Sequence, residues 1–178
     1  MSGNATKFNV TEQLPALRRY ARALTRNEAE ADDLVHDAVV RAYENRASFR
    51  PDGDLKSWLF SILHNTFVSG IRSSRAHAAR IDRVADLTET EIGPEQETSL
   101  RLAQVRAAFL RLPDEQREAI HLVAIEGMAY GEAAQVLGIP VGTLMSRLGR
   151  ARTALREMES GTSNVVPLKI VRGRDDNR

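Results

Sequence analysis

The chain has no cysteine, which excludes disulfides and thiolate metal centres and fits a reducing compartment. Its four histidines, His36, His64, His77 and His121, stand at no metal-ligand spacing, so no metal is implied. No stretch approaches the roughly 20 apolar residues needed to cross a bilayer, and the opening MSGNATKFNV lacks an apolar signal core. Also missing are a phosphate loop and any nucleophile-base-orienter set. These absences together lead us to expect a soluble cytoplasmic protein that is not an enzyme, inserts in no membrane, and needs no metal or cofactor.

Net charge is nearly absent too, +1 for 178 residues, but the average hides an order. Residues 1–80 hold 12 Lys and Arg against 9 Asp and Glu, residues 81–126 hold 5 against 10, and residues 127–178 hold 8 against 5. Basic ends around an acidic middle suit a polyanion touched at two places, although simple charge balancing gives the same pattern.

The most informative stretch runs from Glu126 to Glu157. Ala133, Ala134, Val136 and Leu137 gather on one side of a helix starting near Tyr130, and Gly138 can adopt the positive φ that ends it. Pro140 then opens a second helix, in which Leu144, Leu148, Ala151 and Leu155 recur as a buried stripe. Its other face carries Thr143, Ser146, Arg147 and Arg150, followed by Arg152 and Arg156. Hydroxyl and guanidinium donors near the start of the second helix are what a major-groove reader needs, whereas an αα-hairpin with a solvated basic face would look the same.

This stretch resembles region 4 of the sigma-70 family, and specifically the extracytoplasmic-function (ECF) group, whose typical run is a GLSYEEIA-like helix and a PVGTVKSRLxRAR-like helix. The residues that carry the resemblance are Gly127, Tyr130, Glu132, Ala133, Ala134, Leu137, Gly138, Pro140 to Thr143, Ser146 to Leu148 and Arg150 to Arg152. It implies minus-35 DNA contacts from Tyr130, Thr143, Ser146, Arg147 and Arg150. Two positions depart from the family: Met145 where a basic residue is common, and Gly149 where a larger one is. Methionine offers only apolar contact, so the minus-35 sequence cannot be transferred from relatives.

Upstream, Leu14, Leu17, Tyr20, Ala21 and Leu24 share one helical face. Asn27, as a cap, opens a second helix with acidic first turns and an apolar face of Leu34, Val35, Ala38, Val39, Ala42 and Tyr43. A loop over 49–56 with Pro51 and Gly53 precedes a third helix, with Leu55, Trp58, Leu59, Ile62, Leu63 and Phe67 as its core stripe. The ADDLVHDAVVRAYENRASF segment resembles sigma region 2.2, which docks on the clamp of RNA polymerase. The implied docking residues are Asp33, Leu34, Val35, Asp37, Val40, Arg41 and Tyr43, with His36 where glutamine is usual. Trp58, Leu59, Ile62 and Asn65 match the WLxxIAxN pattern of regions 2.3 and 2.4, where an unstacked base of the minus-10 element is captured. By that resemblance Phe49, Arg50, Lys56, Asn65, Arg72 and Arg75 contact minus-10 DNA, with Asn65 and the 49–56 loop capturing the base and Arg72 and Arg75 holding phosphates.

The expected architecture is therefore all-α: two small helical domains, region 2 over 10–76 and region 4 over 99–158. A flexible linker over 77–98, rich in Thr and Glu with a Gly93-Pro94 pair, joins them, and a C-terminal tail over 159–178 follows. In region 4, Leu100, Ala103, Ala107 and Leu110 share a face, and Pro113 starts a helix that supplies Ala119, Ile120, Leu122, Val123 and Ile125 to the core. The resemblance implies a transcription initiation factor whose partners are core RNA polymerase, promoter DNA and an anti-sigma factor, acting in a stress or environmental response. The alternatives are a sigma-like decoy that sequesters an anti-sigma protein, and a helix-turn-helix regulator of another class.

Overall fold

The computed structural model describes residues 8–50, 52–78 and 97–162, and among them the ordered elements are helices with no strand. Helix α1 (Leu14–Thr25) turns Leu17, Tyr20, Ala21 and Leu24 inward and stops at Arg26, which takes the left-handed conformation at φ 59°. Asn27 then restarts the chain as the predicted cap, its side chain accepting the Glu30 N–H at 3.1 Å. Helix α2 (Glu28–Glu44) buries Ala31, Leu34, Val35, Ala38 and Ala42. Tyr43, expected on that face, is 54% exposed. It lies in the last turn, where its ring meets Phe8 edge-on.

Asp54 begins helix α3 (Leu55–Ala78), its carboxylate accepting the Ser57 N–H at 2.7 Å. Lys56 thus belongs to the first turn of a helix and not to the loop. Leu59 and Leu63 are buried as the stripe predicts, but so is Phe60, which the stripe leaves out. The cause is that α3 is covered on two sides, by the first two helices and by the second domain.

The second domain consists of α4 (Glu97–Arg111), α5 (Asp114–Ile120), α6 (Tyr130–Leu137) and α7 (Val141–Thr162). Helix α4 rests on α7 with Phe109 against the core, while Ala107, expected to face inward, is exposed. Between α5 and α6, residues His121–Ile125 form a π-helical turn in which the Glu126 N–H bonds to the His121 carbonyl at 3.0 Å. The wider turn shifts the helical register within it, and Ile125 at its end, also expected in the core, is 49% exposed. Gly138 closes α6 at φ 64°, a conformation that strains any residue with a side chain. The Pro140 carbonyl accepts the Thr143 and Leu144 N–H groups and so starts α7, which buries Leu144, Leu148 and Ala151. This helix continues past the expected limit at 158 to Thr162. Residues 79–96 of the expected linker and 163–178 of the expected tail lie outside the described residues.

The two domains pack against each other through α1 and α3 on one side and α5, α6 and the π turn on the other. Tyr20, fully buried, stacks on Phe60 at 5.3 Å and meets the His121 ring at 5.2 Å. Arg117, 1% exposed, donates to the Ala23 carbonyl across the seam, to the Leu112 carbonyl and to Asp114, whose carboxylate also holds Arg26 at 2.7 Å. Among the described residues no helix is long and apolar enough to cross a membrane.

Candidate nucleic-acid interface

Helix α7 presents its polar face as predicted, with one exception. Thr143, Ser146 and Arg150 are exposed, and Arg150 Nη2 donates to Ser146 Oγ at 2.9 Å, one helical turn away. Tyr130, at the start of α6, is 38% exposed. The exception is Arg147, whose side chain is only 16% exposed and pairs with Glu115 of α5 at 3.2 Å. Its charge also reaches His64 of the first domain. Burial, helped by Arg147, pushes that histidine down to about 4, so it is neutral near pH 7. Arg147 therefore faces the protein, not the free side of the helix.

On the first domain the minus-10 candidates divide. Arg50 and Asn65 are exposed, whereas Phe49 is half-buried against Phe8 at 5.8 Å and Trp58 at 5.3 Å. Arg72 and Arg75 fall on side chains outside those described. Lys56 is taken up by the second domain: its Nζ donates to the Glu126 carbonyl at 2.6 Å and lies 3.2 Å from Glu126 Oε2. A cleft of about 450 Å³ opens beside the loop before α3. Phe49, Arg50, Asp54, Ser57 and Trp58 line one wall, and Glu132 and Gln135 of α6 line the other. A base lifted from the stack needs a pocket of this kind, and here the second domain closes one side of it.

Glu126 is the residue that sequence reasoning missed. Its side chain is 1% exposed, yet it is held by Arg19 at 3.1 Å and Lys56 at 3.2 Å from the first domain, and it lies 3.4 Å from His121 Nε2. Burial alone would raise its carboxyl; the His121 ring, Lys56 and Arg19 outweigh burial and bring it down to about 2. Glu118, also buried, moves the other way, pushed up to about 7 by burial and then by Asp114. A lone Glu before a glycine carries no sign of burial, and only the pairing with Arg19, 107 residues earlier, reveals it.

The docking candidates on α2 also divide. Asp33, Asp37, Val40, Arg41 and Tyr43 are exposed, with Val40 at 43% and Tyr43 at 54%. Leu34 and Val35 are buried in the first domain's core and are withdrawn from the docking set. What remains is a face of mixed charge with two apolar side chains standing out of it.

The fold agrees with comparisons to known proteins. The profile described as the Sigma2 domain of PhyR matches residues 10–64, and that of Sigma-70, region 4, matches residues 102–155. The ECF RNA polymerase sigma factor EcfG of Rhodopseudomonas palustris is 40% identical over 152 residues, 85% of this chain and 83% of its own length. SigM, an ECF RNA polymerase sigma factor of Mycobacterium tuberculosis, is 35% identical over 146 residues, 80% of this chain and 70% of its own. Among solved structures, the sigma factor RpoE of Bartonella quintana, in complex with the anti-sigma factor NepR, superposes with a TM-score of 0.77 at 36% identity. That match covers 89% of this chain and 98% of the other. With two helical domains in this order and relatives of this identity along most of its length, the chain belongs to the extracytoplasmic-function sigma factors of the sigma-70 family.

Proposed function

We propose that the chain acts in the cytoplasm as a non-catalytic transcription initiation factor that binds core RNA polymerase and directs it to specific promoters under anti-sigma control. The exposed part of α2, namely Asp33, Asp37, Val40, Arg41 and Tyr43, docks on polymerase. Arg50, Asn65 and the cleft beside them receive the melted minus-10 strand, and Lys56 joins them once it leaves Glu126. Tyr130, Thr143, Ser146 and Arg150 contact the minus-35 duplex. The observation that carries this reading is the exposed donor row on the second helix of a helix-turn-helix.

A packed chain of 178 residues is only about 40 Å across, so the packed arrangement does not reach both promoter elements. Elements centred near minus-10 and minus-35 lie about 25 base pairs apart, roughly 85 Å along B-form DNA. Residues 79–96 reach at most roughly 65 Å fully extended, and the widths of the two domains supply the rest. The seam must therefore open, which releases Lys56 and uncovers the cleft. An anti-sigma protein that favours the closed form would hold the factor inactive.

Run-off transcription over a pool of genomic promoter fragments, with core polymerase alone and with the chain added, tests the reading. Initiation only with the chain supports it. A second reading, a decoy for an anti-sigma protein, draws on the likeness of residues 10–64 to the PhyR sigma2 domain. It needs no DNA-reading face, and it becomes the better account if folded chain and active core together fire no template.

A further inference from the structure

The apolar side of helix α7 extends beyond what its fold buries. Leu144, Leu148 and Ala151 form the buried edge, each at most 2% exposed. Val141 and Met145, one turn apart and therefore on one ridge, border that edge and stand 42% and 54% exposed. They occupy the first turn and a half, the part of a recognition helix that reaches base edges. Ser146 and Arg150 lie on the neighbouring ridge, and Gly149 continues the first ridge while Gly142 opens the second, so neither carries a side chain where the two adjoin. A Cβ added at either glycine would meet nothing within 4 Å. From Val141 to Arg156 the helix carries no carboxylate, so the whole face is suited to a polyanion.

We propose that Met145, with Val141 beside it, is an apolar reading edge for thymine 5-methyl groups in the minus-35 duplex. The inference rests on the reading that α7 enters the major groove. There each A·T pair presents one methyl group, the only apolar feature on a base edge, and its position tells T·A from A·T. An unbranched thioether side chain adapts to a methyl without requiring a hydrogen bond. The donor ridge of Thr143, Ser146 and Arg150 handles the polar atoms of the same base pairs and their phosphates, and the gap at the two glycines lets both ridges approach together. A second protein seated on this ridge would have to accept the adjoining exposed Arg150 and Arg152, which makes DNA the fitting occupant.

The test uses a promoter that the full chain fires with core polymerase. Each thymine of its minus-35 element, on either strand, is replaced singly by uracil, which removes the methyl and leaves base pairing intact. Wild type and Met145→Ala are compared on every template. One or two uracil positions should lower wild-type initiation about threefold. At those positions Met145→Ala should fire thymine and uracil templates equally, while initiation from a heterologous promoter fused to a different minus-35 reader shows that the templates remain sound. The proposal is overturned if uracil makes no difference to wild type, if Met145→Ala lowers all templates alike, or if the element has no A·T pair. In each of these cases firing of the unmodified template leaves the initiation reading standing; no firing on any template removes both.

Discussion

The two faces that we assign to DNA are in opposite states. On α7 the donors Thr143, Ser146 and Arg150 are exposed, with only Arg147 turned inward. On the first domain Lys56 is bound to Glu126 and the cleft beside Trp58 is walled by Glu132 and Gln135. The proposed surface for duplex DNA is exposed, and the proposed surface for a single strand is covered in part. The difference follows from which helices meet at the seam. Helices α1 and α3 of the first domain supply its inner side, so part of the strand-binding surface is spent on the contact, whereas α7 turns its outer face away from it.

Four substitutions break or sharpen this contrast. The largest effect is expected from Glu126→Ala, which leaves Arg19 and Lys56 without their shared carboxylate. Removing one partner of a buried pair costs about 3–5 kcal/mol, reduced here to about 3 because both cations keep contact with water. The domains should separate, seen as faster proteolysis between them at unchanged helix content. Next is Glu118→Gln. A carboxyl raised to about 7 in the folded protein, against an ordinary 4.5, costs stability as pH rises from 4.5 through 7 and costs nothing below 4.5. The variant should therefore gain on the order of 2 kcal/mol over wild type at pH 8, with no gain at pH 4, by thermal melts at both. Glu126 has the opposite sign, since its contribution is present above 4.5 and lost as pH falls toward 2.

Arg150→Ala should weaken promoter binding about tenfold, near 1.5 kcal/mol, and leave affinity for core polymerase unchanged. Equal loss of both would mean misfolding or a wrong assignment. Arg147→Ala should have the smallest effect on promoter binding. It breaks a pair whose glutamate is mostly exposed and costs about 0.5 kcal/mol of stability by denaturant titration. A promoter defect as large as that of Arg150→Ala would put Arg147 back on the DNA face.

Much of this fold is legible along the chain because most helices have one buried side. The spacing of Leu17, Tyr20 and Leu24, or of Leu144, Leu148 and Ala151, marks that side, while Asn27 and Gly138 mark helix boundaries by their backbone chemistry. Phe60 was missed because α3 has two buried sides, and one helical period describes only one. Ile125 was misplaced because a π turn shifts the register without any proline or glycine inside it to announce the change. Lys56 and Arg147 look like DNA contacts in any pattern of exposed cations; their partners, Glu126 and Glu115, are brought near only by folding. The ECF motifs mark the candidate positions of both sites, but a motif marks position and not accessibility.

The absence of native cysteine makes the central claim directly measurable. Glu44→Cys on α2 and Arg152→Cys on α7, both exposed, can be labelled with a donor and acceptor dye pair for energy transfer. The account predicts a short distance in the free chain and one longer by tens of ångströms when core polymerase and promoter DNA are both present. One unchanged distance in the free and promoter-bound states would contradict it.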